Sequence, residues 1–430
     1  MRASRTGMMM FAMIVTATFL FPTVLEPASV QAQSTLERPD VTTFGVLWTA
    51  TGGHNATLWN LRWSPDGSMI AAAFYDNMTV IYNAKDGTVK ARMGVWVAGN
   101  GTGGSRSSNT SSRCDGGKDN PVDTSDYWPT RSLAWSPDGK YILLGNENGN
   151  IYIHKTLDWS LDSVFSAHTS GVLDMAFSND GKFLASGSGI EKVNGTGSYP
   201  DNRVIIWNWE KRSVEKELTS AIGDAVMKVS WSPNGSMLAV ASDDGGLSLW
   251  NTTTWERVGL LLGHTLGVLD VSWSPDGKRI VTGSRDYTMR IWDVGTQKLV
   301  QTLDDANCVR SVHWHAEGGL ILEAGVQEVL VKVRDAGTGA IIQSFEESAA
   351  STGTIMAARW SPDGKTFATA SGKERTVRLY GEGGVQGGGD DVEPGGPGPI
   401  PSAIIFVGAA VLFVVIVFIP VFRRMRRSSG

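Results

Sequence analysis

Val268-Leu-Asp-Val-Ser-Trp273, Ser274-Pro-Asp-Gly277 and Arg279-Ile-Val-Thr-Gly-Ser284 follow one another with one Lys before the last segment, and this stretch decides the fold. Apolar and β-branched residues recur at every second position on both sides of the turn, as in two strands that each bury one face. Ser-Pro-Asp-Gly joins them: Pro presets φ at the first corner, Asp caps the backbone, and Gly takes the φ > 0 position that closes the hairpin. A third strand, Thr288-Met-Arg-Ile-Trp-Asp293, and a fourth, Lys298-Leu-Val-Gln-Thr302, complete a four-stranded antiparallel meander.

The aromatic-plus-turn signature recurs at Trp63, Trp135, Phe177, Trp231, Trp273, Trp314 and Trp360, at intervals of 72, 42, 54, 42, 41 and 46 residues. A repeat near 42 residues with two enlarged loops, 100–128 and 189–200, accounts for every interval. That period belongs to propeller blades of four short strands. The expected fold class is therefore all-β, a seven-bladed β-propeller over residues 41–380. The seventh unit has only three strands and ends in Thr376-Val-Arg-Leu-Tyr380, while a spare strand, Phe44-Gly-Val-Leu-Trp48, precedes the first. Pairing of the two would close the ring and remove two sheet edges. Six blades with a stray hairpin is the alternative.

The unit Gly263-His264 … Ser284-Arg-Asp286 … Trp292-Asp293 resembles the WD-repeat family of β-propellers. The resemblance implies a structural tetrad in which Trp292, Ser284, His264 and Asp286 hydrogen-bond across one blade. A second copy reads His168, Ser188, Asp201 and Trp207. Other units are degraded: one keeps Ser242, Asp244 and Trp250 with Ile222 at the His position, another His54 and Asp76 with Tyr82, another Ser371, Glu374 and Tyr380. The second and sixth keep almost none.

The chain ends carry signals of their own. Arg2 and Arg5, an apolar run from Met8 to about Leu25, and Val30-Gln-Ala32 read as a secretory signal peptide over 1–32; an uncleaved anchor is the rival. Residues 381–401 are dominated by Gly and Pro and read as a solvated stalk. Residues 402–422 form a charge-free apolar run, long enough as one C-terminal transmembrane helix to cross about 30 Å of hydrocarbon. Arg423, Arg424, Arg426 and Arg427 then place the 423–430 tail on the cytoplasmic side, with the propeller outside. A sorting signal that is cut and replaced has the same tripartite form. The net charge of −5 is too weak an imbalance to suggest nucleic acid as a partner.

Ser284, His264 and Asp286 have the residue types of a nucleophilic triad, but the same set recurs at Ser188, His168 and Asp201, which favours a structural role. His313-Trp-His315 puts two imidazoles on one face of a strand without a third ligand at telling spacing. No convergent polar cluster on channel-facing positions stands out. The expectation is no catalytic residues, no cofactor and no metal. Cys114 and Cys308, the only cysteines, lie in connections that open on one face of the ring (called the top) and are either a disulfide or two free thiols. Partner contacts are expected on that face, from Tyr75, Asp243, Arg285 and Lys373 beside the tetrad Asp positions and from Tyr127, Trp128 and Tyr199 in the long loops. The reading is a membrane-anchored, extracytoplasmic scaffold for protein partners. The alternative is an extracytoplasmic enzyme, or a small-molecule or glycan-binding subunit, using the central channel.

Overall fold

The computed structural model describes residues 43–384, apart from 52–55, 95–127, 167, 190–200, 220–222, 306, 327–329 and 348–352. The signal peptide, most of the stalk, the transmembrane run and the basic tail lie outside the described residues, and so do Cys114, Tyr127 and Tyr199. Among the described residues no helix is long and apolar enough to cross a membrane. Seven four-stranded antiparallel sheets follow one another around a ring. Their first strands are Leu58–Trp63, Thr130–Trp135, Val172–Phe177, Val226–Trp231, Val268–Trp273, Val309–Trp314 and Ile355–Trp360. Each packs against the first strands of its two neighbours, the last against the first, so these seven line a central channel.

The Ser-Pro-Asp-Gly turns close one rim of that channel, the bottom. In the fifth blade Ser274 Oγ donates to Asp276 Oδ1 at 2.6 Å and accepts from Arg279 N at 2.9 Å, which fixes both ends of the hairpin. The fifth and seventh blades share one backbone demand: Gly277 and Gly364 sit at φ 68° and 71°, where a side chain would be strained. The core lies between sheets rather than at the axis. Val204 and Ile206 of the third blade, for instance, pack on Val226, Val229 and Trp231 of the fourth.

The signature aromatic has a second task. Trp63 Nε1 donates to the carbonyl of Arg359 at 3.1 Å, Trp135 to Arg62 at 3.4 Å, Trp231 to Ala176 at 3.0 Å and Trp273 to Ser230 at 3.0 Å. In each case the acceptor is the residue just before the signature aromatic of the preceding blade. Phe177 has no such donor, and Trp314 turns its indole N–H to its own turn at Gly318 O, 2.8 Å.

The ring closes through Phe44–Thr51, which pairs antiparallel with Thr376–Glu382 and becomes the outer strand of the seventh blade. The pairing extends past residue 380, because Gly45 and Phe44 take Gly381 and Glu382 as partners, so the propeller runs two residues beyond the expected boundary. The closing strand is also tied to both neighbouring blades. Gln343 of the sixth exchanges hydrogen bonds with the Phe44 backbone at 2.9 and 3.2 Å, and Trp48 Nε1 donates to Ala84 O of the first at 2.9 Å. Phe44 sits edge-on to Trp360 and Phe367, with ring centroids 5.4 and 5.5 Å away.

Truncating that anchor should unlatch the ring. Phe44→Ala is expected to cost about 3 kcal/mol, the usual range for a buried aromatic, whereas Leu47→Ala, on a side chain 44% exposed, should stay within about 0.5 kcal/mol. Urea denaturation of both variants measures the difference.

Candidate functional site

Every first strand carries a β-bulge at its second residue, seen as a register shift between Leu58 and Asn60 and at the equivalent place in the other six blades. A bulge re-aims the side chain of the extra residue. Here the seven re-aimed residues, Trp59, Arg131, Leu173, Met227, Leu269, Arg310 and Met356, all line one cup at the top mouth of the channel. The Arg131 guanidinium lies 4.0 Å over the Trp59 ring and that of Arg310 lies 5.1 Å from it. Tyr75 stands 5.9 Å from Trp59, and Arg131 is held by Glu147 at 2.6 Å. The mouth is therefore a cation–aromatic cluster set in a ring of Leu and Met.

Deeper in the channel, the residues that follow each bulge place charges at a waist. Arg62 Nη2 meets Asp174 Oδ1 at 2.8 Å; Lys228 Nζ meets the same oxygen at 3.0 Å and Asp270 Oδ1 at 3.7 Å; Arg359 Nη2 meets Asp270 Oδ2 at 2.8 Å. The sequence reading found no convergent polar cluster here, and the structure corrects it. The two carboxylates also accept from the next blade's backbone, Asp174 from Val229 N at 3.2 Å and Asp270 from Val312 N at 2.9 Å. Burial and the nearby Arg62 cation bring the Lys228 ammonium down to about 8. Burial and Arg359 hold His313 down at about 3, so it faces this cluster as a neutral imidazole.

His313 and His315 do not share a face. His313 looks into the channel and accepts from Trp360 N at 3.2 Å, whereas His315 lies at the bottom turn, with Nε2 2.9 Å from Gly364 O and Nδ1 accepting from Glu317 N. The two part because His315 falls after the strand has ended at Trp314. Among the described residues no group of three or more His, Cys, Asp or Glu is placed to hold a metal ion.

The tetrads need a correction by two residues. In the fifth blade Trp292 Nε1 donates to Thr282 Oγ1 at 2.9 Å, that hydroxyl lies 2.8 Å from His264 Nε2, and His264 Nδ1 lies 2.9 Å from Asp286. Ser284 is not in this chain; its hydroxyl donates to Leu266 O and Gly267 O at the strand end. In the third blade Ser186, not Ser188, joins Trp207 at 3.0 Å to His168 at 2.9 Å, and His168 lies 3.1 Å from Asp201. Residues two apart share a face of a strand, so alternation names the face but not the level. Burial raises the Asp286 carboxyl, yet its bonds to His264 and Thr288 outweigh that and hold it well below the usual range.

Blade six replaces the tetrad with ions. Glu323 takes the Thr282 place and Arg334 the Trp292 place, and the two are in direct contact, with Asp305 bridging Lys332 and Arg334. Blade seven uses Glu347, which accepts from Tyr380 Oη at 2.9 Å and from Arg378; Ser371 Oγ makes no hydrogen bond among the described residues.

The expected contact residues on the top face fare differently. Tyr75 joins the Trp59 cluster, Trp128 is 42% exposed, and Lys373 is exposed. Asp243 and Arg285 face each other across adjacent blades as an ion pair of 3.5 Å with both side chains largely buried. Cys308 is buried, and Cys114, the other cysteine, lies outside the described residues. Trp59, Arg131 and Arg310 escaped the sequence reading. Their signal was available: each is the second residue of a first strand.

Residues 45–83, 125–155, 159–208, 215–251, 255–293 and 339–381 match the family described as "WD domain, G-beta repeat", together more than half of the chain. Most of blade six falls between the matched segments, in keeping with its ionic substitute for the tetrad. The chain is similar to Polyadenylation factor subunit 2 of Candida albicans, with 27% identity over 120 residues, covering 28% of this chain and 20% of that protein. It is similar to the Chromatin assembly factor 1 subunit FAS2 homolog of Oryza sativa subsp. japonica, with 30% identity over 146 residues, 31% of this chain and 26% of that protein. Similarity to the Periodic tryptophan protein 2 homolog of Dictyostelium discoideum is 26% over 228 residues, 49% of this chain and 23% of that protein. The aligned parts thus span about a quarter or less of these relatives' own lengths.

Two outcomes test the tetrad assignments. Thr282→Val should cost about 2 kcal/mol by leaving His264 and Trp292 without their shared hydroxyl, and Ser284→Ala should cost about 1 kcal/mol or less; thermal melts separate them. Burial and the neighbouring Asp305 push Glu323 up to about 7 from its ordinary 4.5. The folded state therefore keeps this proton where the unfolded chain has lost it. Stability from this group is complete below the unfolded value and is lost as pH rises through the folded one. Relative to Glu323→Gln, which cannot titrate, the native chain should lose melting temperature between about pH 5 and 8.

Proposed function

Because the chain belongs to the WD-domain, G-beta repeat family, we propose that it is a non-catalytic scaffold, tethered to the outer face of a membrane, that binds a protein partner through the top of its propeller. The observation that carries this reading is Trp59 flanked by Arg131 and Arg310, beside Tyr75, in a ring of Leu and Met at the channel mouth. Trp, Tyr and Arg dominate the energetic centres of protein interfaces, and a rigid sheet scaffold fixes them before the partner arrives. Two of the relatives are, by name, subunits of larger factors. Exposed Trp128 and Lys373 extend the surface, and the Asp243–Arg285 pair stiffens its far side. The net charge of −5 and the mixed signs of the top favour a protein partner over a nucleic acid.

The location rests on the sequence: the basic start and apolar run of 1–32, the apolar run 402–422, and the four Arg residues that follow. A disulfide between Cys114 and Cys308, which the sequence leaves open, would agree with an oxidising compartment outside the cytoplasm.

In-cell cross-linking followed by mass spectrometry tests the binding face. The native chain should capture a defined protein that is lost with Trp59→Ala plus Arg310→Ala and kept with an exposed bottom-face change, Lys278→Ala. Capture unchanged by the double variant would overturn the top-face reading. A chain ending at residue 401 should leave the membrane fraction; retention there would overturn the C-terminal tether.

A further inference from the structure

Beneath the waist, on the side of the Ser-Pro-Asp-Gly turns, the channel widens into a chamber of about 490 Å³. The cup above the waist holds about 60 Å³. The lower volume lies in the range of small-ligand sites. Its walls are the signature aromatics Trp63, Trp135 and Phe177 with turn prolines Pro65 and Pro137, and its roof is the charged waist.

The charges at that roof do not balance. Going through the cluster, the order is Arg62, Asp174, Lys228, Asp270, Arg359, each in contact with the next. The chain of alternating sign begins and ends with Arg, and its two ends belong to the first and seventh blades, which are neighbours in the ring. Two like charges therefore adjoin where the circle would close, and burial together with the nearby Arg359 lowers the Arg62 guanidinium from its ordinary value. His313 is neutral and adds nothing. Three cations against two anions leave one positive charge in a desolvated channel, a costly arrangement that one negative charge would relieve. Arg62 reaches only the lower chamber, not the upper cup, so the excess faces the larger volume.

We propose that the lower chamber binds a small organic monoanion with an aromatic or similarly flat apolar body. Its carboxylate or equivalent oxyanion completes the circle between Arg62 and Arg359 beside Lys228, and its body lies among Trp63, Trp135 and Phe177. This site is separate from the top-face partner surface and stands or falls independently of it. The Lys228 ammonium, already brought down to about 8, makes the site sensitive to mild alkali: once it deprotonates, the waist is neutral and the anion loses its counter-charge.

The probe is 2-naphthoate, with uncharged 2-naphthamide as its match in shape, titrated into the full chain by calorimetry. Expected is saturable binding at one site, with the amide weaker by about tenfold or more and naphthoate affinity falling above about pH 8. Lys228→Met should weaken naphthoate by about tenfold at neutral pH, and Lys228→Arg should restore it. Ser230→Phe narrows the chamber without touching a charge and should abolish binding while the melting transition stays cooperative. Trp59→Ala, in the upper cup, should leave binding unchanged. Absence of saturable binding by the folded native chain would overturn the proposal. So would equal affinity for the amide, or a loss caused by Trp59→Ala and not by Ser230→Phe.

Discussion

The hydrogen bond from an indole of one first strand to a backbone carbonyl of the preceding first strand fixes the spacing at four of the seven blade junctions. Around a channel, neighbouring first strands belong to different sheets and share no ladder, so their carbonyls near the bottom rim have no sheet partner to the side. Trp63, Trp135, Trp231 and Trp273 supply that donor at the same level in four blades. The same aromatic also ends the strand and introduces the turn, so one residue type sets the hairpin, the inter-blade spacing and the wall of the lower chamber. Closure by Phe44–Thr51 then converts a stack of sheets with two free ends into a ring with none.

Once the ring is fixed, its interior follows from register. The bulge at the second residue of each first strand sends that residue to the top mouth, and the next ones face the axis at the waist. Seven side chains of one level therefore meet although they are scattered over some 300 residues of sequence, from Trp59 to Met356. Low dielectric makes such a meeting consequential in both directions. Paired charges such as Lys228 and Asp174 hold neighbouring blades together and Arg359 and Asp270 tie blades seven and five across the channel, while the cluster's excess positive charge is, in the proposed site, a source of binding energy for an anion.

The tetrads answer a narrower need. A buried hydroxyl, imidazole and indole satisfy one another at the top of blades three and five, and the rest of each blade tolerates other solutions. Blade six reaches a comparable connection with Glu323, Arg334, Asp305 and Lys332, and blade seven with Glu347, Arg378 and Tyr380. What the position demands is mutual satisfaction of buried polar groups, not one set of residues. The two solutions differ in the sign of their pH dependence, since burial of Glu323 favours its proton whereas the hydrogen bonds to Asp286 oppose protonation there.

The fold was legible in the sequence because its signals are local. Period-two alternation, a Pro-Asp-Gly turn and a repeat near 42 residues act within one blade, and the spare strand at Phe44 together with the missing one after Tyr380 announced the closure. The resemblance to WD repeats pointed to His264, Asp286 and Trp292, but alternation could not choose between Thr282 and Ser284, which point the same way from one strand at different heights. The site was not legible for a different reason. Trp59, Arg131 and Arg310, or Arg62, Lys228 and Arg359, are remote in sequence, and no local pattern says that bulges align their levels around one axis. Sequence by itself determined the blades, their number and their turns, because those depend on backbone preferences of neighbouring residues. Which charges meet at the waist and which aromatics crowd the mouth was decided only when the ring closed, because those contacts depend on height along the axis, a coordinate that exists only in three dimensions.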